Sequence, residues 1–565
     1  MKLTVQGQGT VNLSKQDFVA SGGEAEVYAQ GNVAYRVYKD PANMIPLGKM
    51  QELEDIHDPH VIKPERLLLD SRGRPVGHTM KFLGKAGEDV WVLCQLFPPP
   101  FRNRHGITPD HIQKLVKNLR GIFDSVHRAG VLLVDPNEMN FLVGKKFDDV
   151  FAIDAASYQT RRYPATAIMA SVKDPQVTHN RFSEGSDWFG FACVSFQLFT
   201  GIHPFKGKHP SIRKMEDRMQ AGISVFDSAV KLPKAVYPLD VIPSVYLEWY
   251  KAVLRDGKRM APPTDFSGAI IITPIIRTLS GTQNLVFKDL LALGSTLMGT
   301  WEHMGSVVSV CADGIYRDKY KVGPAVQNLV GAVFTPKQNK PVVGWLESQR
   351  LQLFDTVDKK QIEVPLLADQ AMSTDGGIYL KVDNQIVEIL LTEIGSRLLA
   401  TTRVAASCLP NATTLYPGVC FQNMMGATYA TTFPSLGLSY HVHLKELDGY
   451  RITDAKADKN VLMVVAAKKG KYDRLVFRFS NDYQDYDVRV ISDITPMGLN
   501  FVSLDSGVCA SINEDEDLEL FSRKRGATGV KVVKDPVLGA DMRLHKHTGR
   551  VVFLRGNTVV HMKMR

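Results

Sequence analysis

HRAGVLLVDPNEMNFLVGKKFDDVFAIDAAS, residues 127–157, is the stretch on which the reading of this chain turns. Two short apolar runs, 140–143 and 150–153, read as a strand pair. Asp135 precedes Asn140 by five positions, and Asp154 stands fourteen further on, at the end of the second run. An Asp and an Asn five apart are common loop residues and carry little by themselves. The flanking apolar strands and the following Asp make the constellation far more specific. Just upstream, ITPDHIQKLVKNLRGIFDSVHRAG (107–130) has helical spacing, with Pro109 near its first turn.

Toward the N-terminus, LTVQGQGTVNL, EVYAQ and VAYRVYK alternate apolar and polar residues and read as short strands. Gly31-Asn32 suits a two-residue hairpin turn. That turn pairs Gln30 with Val33 and so Val27 with Arg36. Directly paired residues share a face of the sheet, which sets Arg36 beside Val27 and leaves Lys39 on the opposite face. Residues 46–57 read as a helix ended before Asp58-Pro59, and strands follow near 64–69 and 76–83. After 157 the helical stretches are 187–200, 211–221 and about 243–255. The outline is a small β-rich lobe followed by a larger helical lobe.

The 127–157 stretch resembles the protein-kinase catalytic loop, D-x-x-x-x-N, followed by the Asp of D-F-G. The resemblance implies that Asp135 orients or deprotonates the attacking hydroxyl, while Asn140 and Asp154 hold Mg²⁺ against the phosphates of ATP. SDWFGFACVSFQLFTGIHPF (186–205) is similar to the large-lobe helix whose Asp, here Asp187, braces the catalytic loop. Glu184 stands at a shortened end of the activation segment, and Arg259 in RDGKRMAPP (255–263) is its implied partner. ASGGEAEVY (20–28) takes the place of the glycine-rich loop. Aligned on Val27 it keeps Gly22, with Gly23 beside it, where backbone N–H groups approach phosphate. Val27 and Ala34 are expected at the adenine. VAYR (33–36) takes the place of V-A-I-K, which makes Arg36 the phosphate-binding cation. MKFL (80–83) falls at the hinge, so Lys81 and Leu83 are expected near the base.

The family pattern is broken at several places. Lys49 stands where the helix Glu is expected, with Glu52 about one turn on as a substitute. Lys49 is also a candidate for the phosphate contact itself, alongside Arg36. H-R-D reads Leu133-Val134-Asp135, Asn137 replaces a Lys, and D-F-G reads Asp154-Ala155-Ala156. Loss of the Arg removes the usual switch by activation-loop phosphorylation, and loss of the Lys removes a charge that steadies the transferring phosphate. CQLFPPPFRNRHG (94–106) reads as an inserted loop at the cleft mouth, with Arg102 and Arg104 solvated.

From about 270 short strands and turns dominate. VVSVCADGIYRDKY, PVVGWLESQRLQLFD, MSTDGGIYLKVDNQIVEILL and four similar stretches begin at intervals of about 30 to 48 residues, near the length of one propeller blade. A six- or seven-bladed β-propeller is the reading, with a pair of β-sandwiches as the alternative.

Composition fits ordinary globular domains, with 44% hydrophobic and 22% charged residues among 565. The net charge of +9 is spread over both parts with no basic tail, so a solvated surface is the reading and a nucleic-acid partner is not expected. The six cysteines form no CxxC pair, which points to a reducing, cytoplasmic setting rather than a disulfide frame or zinc site. No secretory leader and no run of about 18 apolar residues is seen, so no membrane association is expected.

The sequence therefore reads as a multidomain α+β chain. Residues 1–265 form a two-lobed protein-kinase-like domain of atypical, bacterial or phage type, with a β lobe over about 1–83 and a helical lobe over about 84–265. Residues 270–565 form the all-β, propeller-like domain. The function expected is that of an ATP- and Mg²⁺-dependent serine/threonine kinase whose second domain recruits a protein substrate or partner. Retained Asp135, Asn140 and Asp154 favour this. Arg36, Lys49 and Asn137 favour two alternatives, a nucleotide-binding pseudokinase scaffold and a kinase fold running nucleotidyl transfer.

Overall fold

The computed structural model describes residues 1–84, 90–165, 168–233, 236–266, 284–395, 397–535, 537–539 and 542–565. The chain divides into two compact units. The first comprises Met1–Ile275 together with Ala467–Asp473 and Ser492–Gly498, and the second comprises the rest.

In the first unit, strands β1 (Lys2–Val5), β2 (Gly9–Asn12), β3 (Phe18–Ser21), β4 (Ala25–Gln30), β5 (Val33–Tyr38), β6 (Leu67–Leu69) and β7 (Pro75–Lys81) make one sheet, in the order β2-β1-β6-β7-β5-β4-β3. Helix α1 (Leu47–Glu54) lies in the connection between β5 and β6. Alternation puts Leu3, Val5, Tyr35 and Leu68 into one buried cluster. The β4–β5 hairpin has the register that its two-residue turn dictates, Gln30 opposite Val33 and Val27 opposite Arg36.

The unit continues with β8 (Trp91–Val92), α2 (Pro99–His105), α3 (Pro109–Arg128), β9 (Phe141–Val143), β10 (Val150–Ala152), α4 (Glu184–Thr200), α5 (Met215–Ala221) and α6 (Ser244–Tyr250). Helix α3 is amphipathic and buries Ile112, Leu115, Val116, Leu119, Ile122, Phe123 and Val126. Helix α4 is apolar around its whole circumference, and every residue from Ser186 to Thr200 is buried. It is the core about which the others pack, Phe123 of α3 stacking on Trp188 and meeting Phe191 edge-on. Each such ring contributes about 1.5–3 kcal/mol of burial. Gly190 lets α4 approach the chain beside Asp135, since a Cβ there would lie 2.5 Å from Cγ of Pro136.

Residues 94–106 do not form an open loop. They make a short 3-10 turn, Leu93–Leu96, and then α2. Arg102 is buried rather than solvated. Its Nε donates to the Leu96 carbonyl at 2.5 Å, and its Nη atoms donate to the carbonyls of Leu198 at 2.5 Å and Phe199 at 3.3 Å. The physical reason is that α4 stops at Gly201, so its last carbonyls need donors from elsewhere, and a guanidinium supplies several at once.

The second unit is antiparallel β-structure, without α-helix among its described residues. Among the described residues its strands form seven four-stranded sheets. Six are built from consecutive strands, spanning 297–323, 329–362, 370–407, 413–443, 451–491 and 501–533, the fifth of them running through Ala467–Asp473 of the first unit. The seventh joins strand Leu285–Ala292 to the last strand, Thr558–Met564, and so ties the beginning of the unit to its end. The strand 297–303 lies against both 329–334 and 543–547, and 543–547 lies against 501–503. Sheets cover one another on both faces, which explains why Val461–Ala467 is an unbroken apolar, buried run instead of an alternating one.

Candidate functional site

Asp187 of α4 organises the turn before Asp135. Its carboxylate accepts the N–H groups of Leu133 and Val134, each at 2.8 Å, and lies 2.9 Å from Nε2 of His127 at the end of α3. Val134 needs this support because its φ of 65° is costly for a β-branched residue. Asp135 follows directly. Its backbone carbonyl accepts from Nδ2 of Asn140 at 3.0 Å, which closes the loop. Asn137 is buried and accepts the Met139 N–H at 2.9 Å. Oδ1 of Asp135 accepts the Met169 N–H at 3.0 Å. Burial raises the pKa of Asp135, against the pull of the Met169 and Asn137 hydrogen bonds.

Asp154 stands two residues past β10 with a φ of 64°, a conformation that Asp tolerates better than most residues. Its Oδ1 is 2.8 Å from Nη1 of Arg36 on β5. Arg36 is flanked by His78, its partner on β7, and by the Tyr38 ring, 5.4 Å from its guanidinium carbon. Burial works against its charge, and Asp154 more than restores it, so its pKa is raised. Lys49 of α1 is buried, and its ammonium donates to the Pro164 carbonyl at 3.3 Å. Burial lowers its pKa, opposed by the negative charge of Asp154. The structure thus brings Arg36, Lys49 and Asp154 into one electrostatic neighbourhood.

Glu52 does not join them. Its carboxylate takes Nε of Arg162 at 2.5 Å. Three residues apart, Glu52 and Lys49 share a face of α1, and both reach the 160–164 stretch, Glu52 at Arg162 and Lys49 at the Pro164 carbonyl. Strand β5 ends at Tyr38, and the Lys39 ammonium folds back to the Gly22 carbonyl at 2.8 Å. The Gly22 N–H is taken by the Ala25 carbonyl at 2.8 Å, while Gly23 is exposed with open space around it. Ala34 is buried and Val27 half-buried. Lys81 is exposed at the end of β7, with its ammonium 5.5 Å from the Phe151 ring, and Leu83 is half-buried. Residues 85–89, beyond the expected hinge, lie outside the described residues.

Arg259 pairs with Asp174, not with Glu184. Its Nε and Nη2 reach the two oxygens of Asp174 at 2.6 Å each, a bidentate contact, while Glu184 is exposed in the first turn of α4. A buried carboxylate needs a partner and an exposed one does not, which decides the competition. Asp174 was legible in the sequence only as the Asp before Pro175. Glu138, buried between Asp135 and Asn140, carried no signal that set it apart.

The oxygen donors here suit Mg²⁺. The Asp154 carboxylate and the Asn140 amide carry hard oxygen donors, which could hold such an ion. Among the described residues no three His, Cys, Asp or Glu side chains cluster as a protein-only metal site. No protein-family model matches the sequence, and no curated protein matches it.

Proposed function

We propose that the first unit is a protein-kinase-like domain that binds Mg²⁺-ATP and transfers the terminal phosphoryl group to a hydroxyl of a protein. The observation that carries this reading is the approach of Arg36 to Asp154 at 2.8 Å, across 118 residues of chain. Asp135 and Asn140 stand on the adjoining loop, which Asp187 holds by two N–H groups. In this reading Asp135 orients the attacking hydroxyl and receives its proton as the new O–P bond forms. Asn140 and Asp154 hold Mg²⁺, which neutralises charge on the phosphates. Arg36 moves from Asp154 to phosphate when nucleotide enters, and Lys49 supplies a second positive charge. We read the second unit as a seven-bladed β-propeller that recruits the protein substrate or another partner. Seven four-stranded sheets and the pairing of the first strand with the last support this.

One observation favours a pseudokinase instead. Asp135 already accepts the Met169 N–H, and Asn137 leaves the loop without its usual cation. Incubating the full chain with γ-labelled ATP and Mg²⁺ decides between the two. Transfer of label to protein, lost by about 10²-fold or more in Asp135→Ala while ATP still binds, is the expected result. ATP binding with no transfer in the parent chain leaves the scaffold reading.

A further inference from the structure

Residues 467–473 belong to the first compact unit, although the chain reaches them only after most of the β-sheets have been laid down. The turn at Lys469-Gly470 is built to fit closely. Gly470 has a φ of +72°, and a Cβ there would lie 2.7 Å from Oγ of Ser171. Lys471 pairs with Glu216 at 2.9 Å, and the Tyr472 carbonyl accepts the Ile494 N–H at 2.8 Å. The Tyr472 side chain is buried, and its hydroxyl donates to Oε1 of Glu138 at 2.7 Å.

Glu138 stands between Asp135 and Asn140. It is 2% exposed, and among the described residues its Oε2 has no hydrogen-bond partner. A buried carboxylate left half satisfied is costly, and an apolar residue would fill the place at lower cost. Met139, the next residue, is held too, its Sδ 3.5 Å from Sγ of Cys94. Asp187 fixes the start of the loop and Asn140 closes its end, so the Tyr472–Glu138 contact fixes its middle.

We propose that Tyr472 is a positioning residue, which through Glu138 holds the loop that presents Asp135 and Asn140. This rests on the function proposed above. The tether itself is a matter of loop order and is measurable without turnover. Amide hydrogen exchange over 133–141 is compared in the full chain, Tyr472→Phe, Glu138→Gln and Lys471→Ala. Tyr472→Phe is expected to speed exchange in this loop by about tenfold, with the rest of the unit unchanged. Glu138→Gln, which keeps an acceptor for the tyrosine hydroxyl, and Lys471→Ala, which removes only the exposed ion pair, should both match the parent. If label is transferred, Tyr472→Phe should lower kcat by about tenfold and leave the KM for ATP within about twofold. Unchanged exchange at 133–141 in Tyr472→Phe overturns the proposal. So does acceleration spread evenly over the unit, which means lost stability alone. Absence of transfer in the parent chain counts against the kinase reading, and the exchange result then decides the tether by itself.

Discussion

Nη1 of Arg36 lies 2.8 Å from Oδ1 of Asp154, and the pair joins the seven-stranded sheet to the strand pair that follows the Asp135 loop. The contact is partly exposed, and under the proposed function an incoming phosphate would take the guanidinium and a metal ion the carboxylate. Lys49 is buried, and its ammonium donates to the Pro164 carbonyl at 3.3 Å.

Arg36→Ala is expected to weaken Mg²⁺-ATP binding by about tenfold or more, as loss of a charge-assisted contact does. Lys49→Ala should cost a similar amount, and Lys39→Ala less than about threefold, because Lys39 is spent on the Gly22 carbonyl. Isothermal titration with and without Mg²⁺ checks all three. Asp154→Ala should abolish the difference that Mg²⁺ makes. An undiminished Mg²⁺ effect in Asp154→Ala removes that residue from the site.

Asp187→Ala should destabilise the first unit by about 3 kcal/mol, from two N–H groups left buried and unsatisfied. Urea unfolding followed by tryptophan fluorescence measures it, with Trp188 next to the change. A loss below about 1 kcal/mol contradicts the bracing role.

Asp174→Ala breaks a bidentate, largely buried ion pair and should cost about 3–5 kcal/mol. Glu184→Ala changes an exposed residue and should cost no more than about 0.5 kcal/mol. The reverse order, in the same urea titration, would restore the Glu184–Arg259 pairing expected from sequence.

Acid should weaken the first unit through its buried histidines. Burial holds His78 and His203 at pKa values of about 3. His203 has both nitrogens engaged, Nε2 with the Ser171 carbonyl and Nδ1 with the Phe205 N–H, so a second proton breaks a bond. Below pH 6.5 the unfolded chain takes up protons that the folded unit refuses. Stability is therefore full above pH 6.5 and falls as pH drops toward 3, by about 2 kcal/mol per histidine at pH 5. His78→Gln should lose about 2 kcal/mol less than the parent between pH 7.5 and pH 5. An identical loss in the two proteins would mean that His78 protonates in the folded state.

Local chemistry wrote itself into the sequence. The Val27–Arg36 register follows from a two-residue turn and the alternation of a strand, both readable over about ten residues. The helices at 109–128 and 184–200 follow from periodicity, capping and, in the second, unbroken apolarity. The strand-rich nature of the chain after residue 284 follows from short apolar runs and turn residues. Asp187 was legible for its place at the head of an apolar helix, and its two N–H contacts fit the role expected of it.

Partner choice between distant elements was not legible. Arg259 takes Asp174, Glu52 takes Arg162, Arg102 caps α4 and Tyr472 reaches Glu138 across 334 residues. No local pattern separates Asp174 from Glu184, or a solvated Arg102 from a buried one, because the residue types are the same. Helix ends, chain crossings and burial decide which charges lose their water, and a charge that loses its water must find a partner. The sequence by itself determined most of the elements, their order and the register of the hairpin, though not the helix at 99–105. The packing of those elements decided which side chains meet, since desolvation is a property of the folded whole.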